Sequence, residues 1–291
     1  MVTLENDYLR IGINYKGAEL NSLYHKITGV EHLWQADPTV WAWHAPNLFP
    51  VVGGCIKNEI WVDGKVYPME RHGFARHSVF SLIEASDTKA KFSLSHSEKT
   101  LAVYPFRFSF QVIYELLGPE LKITYKVINY DDKPVWFSVG AHPAFNIPFS
   151  NSKEDVLEDY YLEFDSQEPL EKHLLSDNGF FTGETESVLS NSNILPLRKE
   201  LFAQDALVFK NINSREVSIK SRKHPNSVSV QFQQFNYLGI WAKKKVTFLC
   251  IEPWLGCADS ENKPVDLKDK EAIQKVEPGH VFEADYRILI S

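Results

Sequence analysis

An all-β fold, built as a large antiparallel β-sandwich, is what this 291-residue sequence predicts. Two observations carry the expectation: apolar residues recur with period two along most of the chain, and helical periodicity is almost absent. Many strands at close spacing point to a sandwich or barrel. The length allows a large core, and no Gly/Ser/Pro-rich linker or internal repeat divides it, so residues 1–291 are expected to form one domain.

Near the start, Leu9, Ile11 and Ile13 alternate with Arg10, Gly12 and Asn14, and Lys16-Gly17-Ala18-Glu19 reads as a turn. Val62-Asp63-Gly64-Lys65-Val66-Tyr67 sets an Asp-Gly pair between apolar flanks, the pattern of a tight hairpin. Phe106, Phe108, Phe110, Val112 and Tyr114 share one strand face. Leu121, Ile123, Tyr125 and Val127 line another, with Lys122, Thr124 and Lys126 turned to water and Gly118-Pro119 marking the bend between the runs. Val217–Ile219, Val228–Phe232, Val246–Ile251 and a terminal Phe282–Ile290 repeat the theme. Lys153–Tyr160 and Leu197–Phe202 can each hold a helical turn or two. The stretch from Phe149 to Leu195, rich in Ser, Asn, Asp and Glu, reads as a long surface excursion with little core. Its acids Glu154, Asp155, Glu158 and Asp159 read as a solvated face, and Lys243-Lys244-Lys245 as a solvated hairpin tip.

A net charge of −7 argues against nucleic acid or an anionic membrane as partner. The chain opens with neither a basic nor an apolar leader segment, and no apolar run nears the roughly 20 residues that span a bilayer. A soluble, cytoplasmic protein is expected. Cys55, Cys250 and Cys257 are too few and scattered for a disulfide framework, and the spacing of the last two does not match a zinc motif, so buried free thiols are expected. Aromatic residues make up 13% of the chain, including seven tryptophans, a composition that leans toward a sugar ligand.

Four stretches could carry chemistry. In Gly140-Ala141-His142-Pro143-Ala144-Phe145-Asn146, proline stiffens the backbone around an imidazole at a strand end. A stiffly placed histidine suits proton transfer, because its ordinary pKa lies near neutrality; the competing reading is a core or turn histidine. Cys250-Ile251-Glu252-Pro253-Trp254 repeats the design with a carboxylate at the end of an apolar strand. Burial there would raise the carboxyl pKa, although a strand-end salt bridge is equally compatible. Glu70-Arg71-His72-Gly73-Phe74-Ala75-Arg76-His77 gathers two arginines and two histidines whose donors could converge on hydroxyls or a phosphate, with Gly73 allowing close backbone approach to a ligand; the alternative is an exposed charged turn. Asp205, heading the run Ala206–Phe209, reads by itself as a cap or turn acid.

Together, in this order and separation, these pieces resemble the aldose 1-epimerase (galactose mutarotase-like) family. The similarity is to its LacX-like branch, near the hexose-6-phosphate epimerases, and it covers nearly the whole chain from the first strands through Val62-Asp63-Gly64, His72-Gly73-Phe74, His142-Pro143 and Asp205 to Glu252. The resemblance implies a galactose mutarotase-like sandwich holding a sugar in an open cleft. It implies His142 as the acid that protonates the ring oxygen and Glu252 as the base that takes the anomeric hydroxyl proton. His72 is implied as a second histidine near the ring oxygen, and Asp205 as a ligand to sugar hydroxyls. Such a reaction needs an acid and a base on either side of the anomeric centre, and neither metal nor organic cofactor is expected.

One departure bears on substrate. Galactose mutarotases carry an Asn-Arg pair shortly before the Asp-Gly hairpin, whereas here Val51-Val52-Gly53-Gly54-Cys55-Ile56-Lys57-Asn58 has no arginine. Arg71, Arg76 or Lys57 are the candidates to replace it, and the two arginines beside His72 make a sugar phosphate plausible. The leading expectation is an isomerase acting on an aldohexose or its 6-phosphate. A ketohexose phosphate or pentose is the second enzymatic reading, and a non-catalytic carbohydrate-binding or regulatory protein on the same fold is the rival from another class. Trp41 and Trp43 could form a cleft wall, an interface or core, core being the commonest fate of such residues, and Asn47 and Phe49 fall where the family's substrate loop would begin. Oligomeric state is not legible in the sequence.

Overall fold

The computed structural model describes residues 1–149, 154–243, 247–261 and 263–291. Strands dominate it, as the period-two pattern requires. Nine form one antiparallel sheet, in the order Ile194–Pro196, Tyr160–Phe164, Glu216–Ser221, Ser227–Gln231, Val281–Ile290, Glu120–Asn129, Phe108–Leu117, Lys89–Ser95 and Ser81–Ala85. A second sheet runs Val139–Gly140, Phe248–Leu255, Tyr237–Trp241 and Leu207–Lys210, with Ala144–Asn146 also paired to Phe248–Leu255. The first four strands, Val2–Glu5 to Val30–Glu31, make a separate antiparallel sheet.

The core lies where inward faces of these sheets meet. Phe108, Phe110, Val112 and Tyr114 pack into the same buried cluster as Leu121, Ile123, Tyr125 and Val127, and as Leu249 and Ile251 from the second sheet. Each large side chain moved out of water contributes roughly 1.5–3 kcal/mol. The Asp-Gly turn folds as expected, with φ of 51° at Asp63 and 76° at Gly64 joining Glu59–Val62 to Lys65–Pro68. Gly118, at φ 63°, turns Phe108–Leu117 into Glu120–Asn129.

Among the described residues helix is confined to short turns. Lys199–Phe202 forms one, and of Lys153–Tyr160 only Leu157–Asp159 does, Lys153 lying outside the described residues. Glu98–Leu101 is helical although periodicity did not mark it, because Ser97 and Thr100 cap it reciprocally. Among the described residues no helix is long and apolar enough to cross a membrane.

Three expectations need correction. The 149–195 stretch is not a coreless excursion: Tyr160, Leu162 and Phe164 are fully buried in the nine-stranded sheet, and Leu170–Leu175 pairs with Phe181–Leu189 in a hairpin. Asp155 is buried, 3.4 Å from His224, rather than solvated. Asn47 and Phe49 do not open a substrate loop. Phe49 stacks on Phe110 with ring centroids 4.4 Å apart, deep in the core.

Asn47 is a buried structural link. Its amide donates to the Gly17 and Ala18 carbonyls at 2.9 and 3.0 Å and accepts from the Tyr125 hydroxyl at 2.8 Å. Asn47→Ala strands those groups without water, and should destabilise the fold by on the order of 3 kcal/mol. A urea midpoint unchanged from wild type would contradict this.

Candidate active site

One strand supplies most of the floor. Along Phe248–Leu255 every residue is buried, yet the two faces have different neighbours. Leu249, Ile251 and Leu255 enter the main core, while Phe248, Cys250 and Trp254 join two smaller clusters on the other side. Period two puts Glu252 on that second face. Antiparallel register continues it onto the next strand, where Gly239 faces Glu252 and Trp241 faces Cys250. Glu252 is therefore central in its strand, not at the end. The strand passes Pro253 intact, and the Pro253 carbonyl accepts from the Ala141 N–H at 3.0 Å. The Trp254 ring lies between Gly239 and Gly140, where a Cβ would approach it to 2.6 Å from either side.

His142 sits in the break between Val139–Gly140 and Ala144–Asn146, both paired with the strand that carries Glu252. Its Nε2 lies 3.2 Å from Glu252 Oε2. The two groups stand side by side, not facing each other across the width of a sugar ring. Trp41 stacks on the imidazole at 5.0 Å and 28°, and Trp241 meets it edge-on at 5.8 Å. Trp41 is thus a cleft wall and not core, and Trp43, half-buried, packs beside His77 and Arg76.

His72 closes the other side, its ring 5.8 Å from His142. The Gly53 N–H donates to His72 Nδ1 at 3.1 Å, which leaves Nε2 to carry the proton of a neutral ring. His72 and Asp205 both hold left-handed backbone, at φ 66° and 78°, a conformation that is unfavourable for residues with a Cβ and clusters at functional sites. Gly73 makes a close backbone approach, but to the Phe49 carbonyl, not to a ligand: a Cβ there would lie 2.3 Å from that oxygen.

All six residues singled out from the sequence, His142, Glu252, His72, Asp205, Arg71 and Arg76, line this one cleft of about 250 Å³. That is below the roughly 300–1,000 Å³ of drug-sized sites and suits a small ligand. Lys57 is exposed and not among the lining residues, whereas Lys243 is; Lys244 and Lys245 lie outside the described residues. Arg71 Nη2 donates to the Asn178 carbonyl at 2.6 Å and Arg76 Nη2 to the Arg71 carbonyl at 2.8 Å. Arg76 Nε is buried without a hydrogen-bond partner among the described residues. Among the described residues neither guanidinium makes an ion pair with a carboxylate.

Burial sets the protonation of the central pair. Desolvation, reinforced by Asp205, pushes the Glu252 carboxyl well above the usual range. The Trp254 indole N–H, which makes no hydrogen bond of full geometry, pulls it part of the way back. Desolvation pushes His142 down, with Arg76 adding to the effect, and His72 likewise. These surroundings favour an uncharged pair, in which the carboxyl keeps its proton and the imidazole carries a single N–H. Such a pair titrates as a unit.

Cleft wall was one of the places the sequence left open for Trp41, but the sequence reading missed Trp241 as a cleft wall and Gly53 as the donor that fixes the His72 tautomer. The same-face sequence Phe248, Cys250, Glu252, Trp254 is legible as alternation, but its neighbours come from register with distant strands.

Residues 1–285 match the model of the aldose 1-epimerase family. The chain is 33% identical to the plasmid-encoded Protein LacX of Lactococcus lactis subsp. lactis, over 99% of each chain. Among solved structures, a galactose mutarotase related enzyme from Lactobacillus acidophilus superposes with a TM-score of 0.94 at 32% identity, covering 100% of this chain and 97% of the other. A galactose mutarotase-like protein from Lactobacillus casei ATCC 334 gives 0.94 at 31%, covering 100% of both.

Proposed function

Because the chain belongs to the aldose 1-epimerase family, we propose that it interconverts the α and β anomers of an aldohexose or its 6-phosphate by acid–base ring opening and closure. The observation that carries the reading is the contact of His142 Nε2 with Glu252 Oε2 at 3.2 Å on the floor of a cleft. The two oxygens that exchange protons, the anomeric hydroxyl and the ring oxygen, are bonded to the same carbon. An acid and a base that serve both must therefore be neighbours, as these two are.

The proton count closes. For ring opening, the carboxyl proton of Glu252 first passes to His142 across their 3.2 Å contact; ionised Glu252 then takes the proton of the anomeric hydroxyl as protonated His142 gives one to the ring oxygen, and the C1–ring oxygen bond breaks. Glu252 is then neutral and protonated, and His142 is neutral. This is the distribution that desolvation favours. Rotation about C1–C2 presents the other face of the aldehyde, and closure reverses both transfers. The mobile proton is returned, and no other reactant is consumed. His72 Nε2–H is a donor for the ring oxygen, and Asp205 an acceptor for sugar hydroxyls.

A 6-phosphate is favoured by one feature, the pair Arg71 and Arg76 on the cleft wall without a carboxylate partner among the described residues. A partly buried guanidinium in that state gains from an anionic ligand. The proposed partner is a small cytoplasmic sugar or sugar phosphate, with no role for nucleic acid or a membrane.

Polarimetry or NMR exchange over a panel of free and phosphorylated sugars, corrected for the spontaneous rate, tests the reading. Acceleration only with 6-phosphates, lost in Arg76→Ala, supports the phosphate contact. Binding without acceleration would instead identify a carbohydrate-binding protein. His142→Ala should retain the fold and lose about 10²–10⁴ in rate.

A further inference from the structure

Cys250 has no part in the chemistry above, yet it lies beside it. One ring nitrogen of His142, the Cys250 sulfur and a Glu252 oxygen all lie within 4.8 Å of one another, and all three residues are buried. The arrangement follows from the fold. Cys250 and Glu252 are two apart on one strand and share a face, and the break that holds His142 is paired to the same strand through Gly140 and Ala144. We infer that His142, Cys250 and Glu252 form a three-ligand site for a thiophilic divalent cation such as Zn²⁺, entered from the sugar cleft.

The donor set is one nitrogen, one sulfur and one oxygen, the types that Zn²⁺ accepts at about 2.0–2.3 Å. Bonds of that length hold neighbouring ligand atoms a little over 3 Å apart, and the His142–Glu252 edge is already 3.2 Å. The sulfur, at most 4.8 Å from the other two atoms, has to close by up to about 1.3 Å to reach the roughly 3.5 Å of a tetrahedral site. His142 and Glu252 line the cleft, so the fourth position faces it and is open to water or a sugar hydroxyl.

Coordination displaces the thiol proton and the carboxyl proton, so binding strengthens as pH rises. It also occupies the two atoms that the proposed reaction uses for proton transfer. The cation is therefore an inhibitor that competes with sugar, and this consequence rests on the proposed function. The site itself does not.

Co²⁺ serves as the spectroscopic probe. Titrating the full chain with Co²⁺ at mildly alkaline pH should give a saturable thiolate-to-metal charge-transfer band with tetrahedral visible bands, at one equivalent, reversed by Zn²⁺. Cys250→Ser should abolish the charge-transfer band, whereas Cys55→Ser and Cys257→Ser should keep it. Glu252→Gln, with the thiol intact, should weaken Co²⁺ binding roughly tenfold or more. It tests the site even if the serine variant fails to fold. If mutarotation is measurable, Zn²⁺ should inhibit it competitively in the wild type, and Cys250→Ser should be less sensitive. No charge-transfer band, or one unchanged in both Cys250→Ser and Glu252→Gln, overturns the site. Absence of sugar turnover with the band present refutes only the proposed function.

Discussion

Glu252→Gln is expected to lower the catalysed rate of anomer exchange by about 10²–10⁴-fold while leaving the protein folded. The substitution keeps the shape of the side chain and removes its ability to accept a proton. Desolvation favours the protonated Glu252 carboxyl, so the amide imitates the form that the fold favours. Linkage gives the control. A carboxyl whose folded pKa is raised stabilises the native state while it stays protonated, and that contribution is lost as pH rises through the folded value. The glutamine has no such loss, so the variant should match wild type at acidic pH and equal or exceed it at alkaline pH. Exchange rates by NMR, alongside urea midpoints at both ends of the pH range, separate a lost proton acceptor from a damaged fold. Undiminished exchange would remove Glu252 from the mechanism.

The second large effect is on acid stability and comes from a histidine outside the cleft. His32 is 1% exposed, neither ring nitrogen has a hydrogen-bond partner among the described residues, and its ring packs 5.4 Å from Phe149. Desolvation, with a smaller push from His25, takes its pKa from 6.5 to about 3. Between those values the unfolded chain holds a proton that the native state does not. Stability therefore falls as pH drops through that window, by up to about 1.4 kcal/mol per pH unit for this one group. His32→Phe retains an aromatic ring against Phe149 and removes the proton site. Its urea midpoint should fall less steeply than wild type between pH 6.5 and about 3. Parallel curves would show that His32 does not bear the acid sensitivity.

Strand identity was widely legible in the chain. The faces Phe108 to Tyr114 and Leu121 to Val127 are buried as their alternation requires, because a side chain's side of a strand is fixed by its own backbone. Tyr160, Leu162 and Phe164 alternate in the same way, but Ser, Asn and acidic neighbours diluted the signal, and pairing with Ile194–Pro196 on one side and Glu216–Ser221 on the other makes that strand internal. The Phe248–Leu255 strand looked as if it ended at Glu252, because proline lacks the N–H that a central strand uses. Neighbouring strands on both sides carry it through to Leu255.

Sequence by itself determined that this is an antiparallel β protein, that His142 is stiffened by Pro143, and that His72, Asp205 and Glu252 recur in the order of a sugar-epimerase family. Tertiary structure alone decided that His142 meets Glu252, that Trp41 stacks on the imidazole rather than filling the core, and that Asn47 ties strands together instead of facing a ligand. The physical reason is range. Alternation and proline stiffness act over a few residues, whereas register between distant strands sets which side chains touch. Desolvation, which moves the proton onto Glu252, belongs to the packed surroundings and to no single residue.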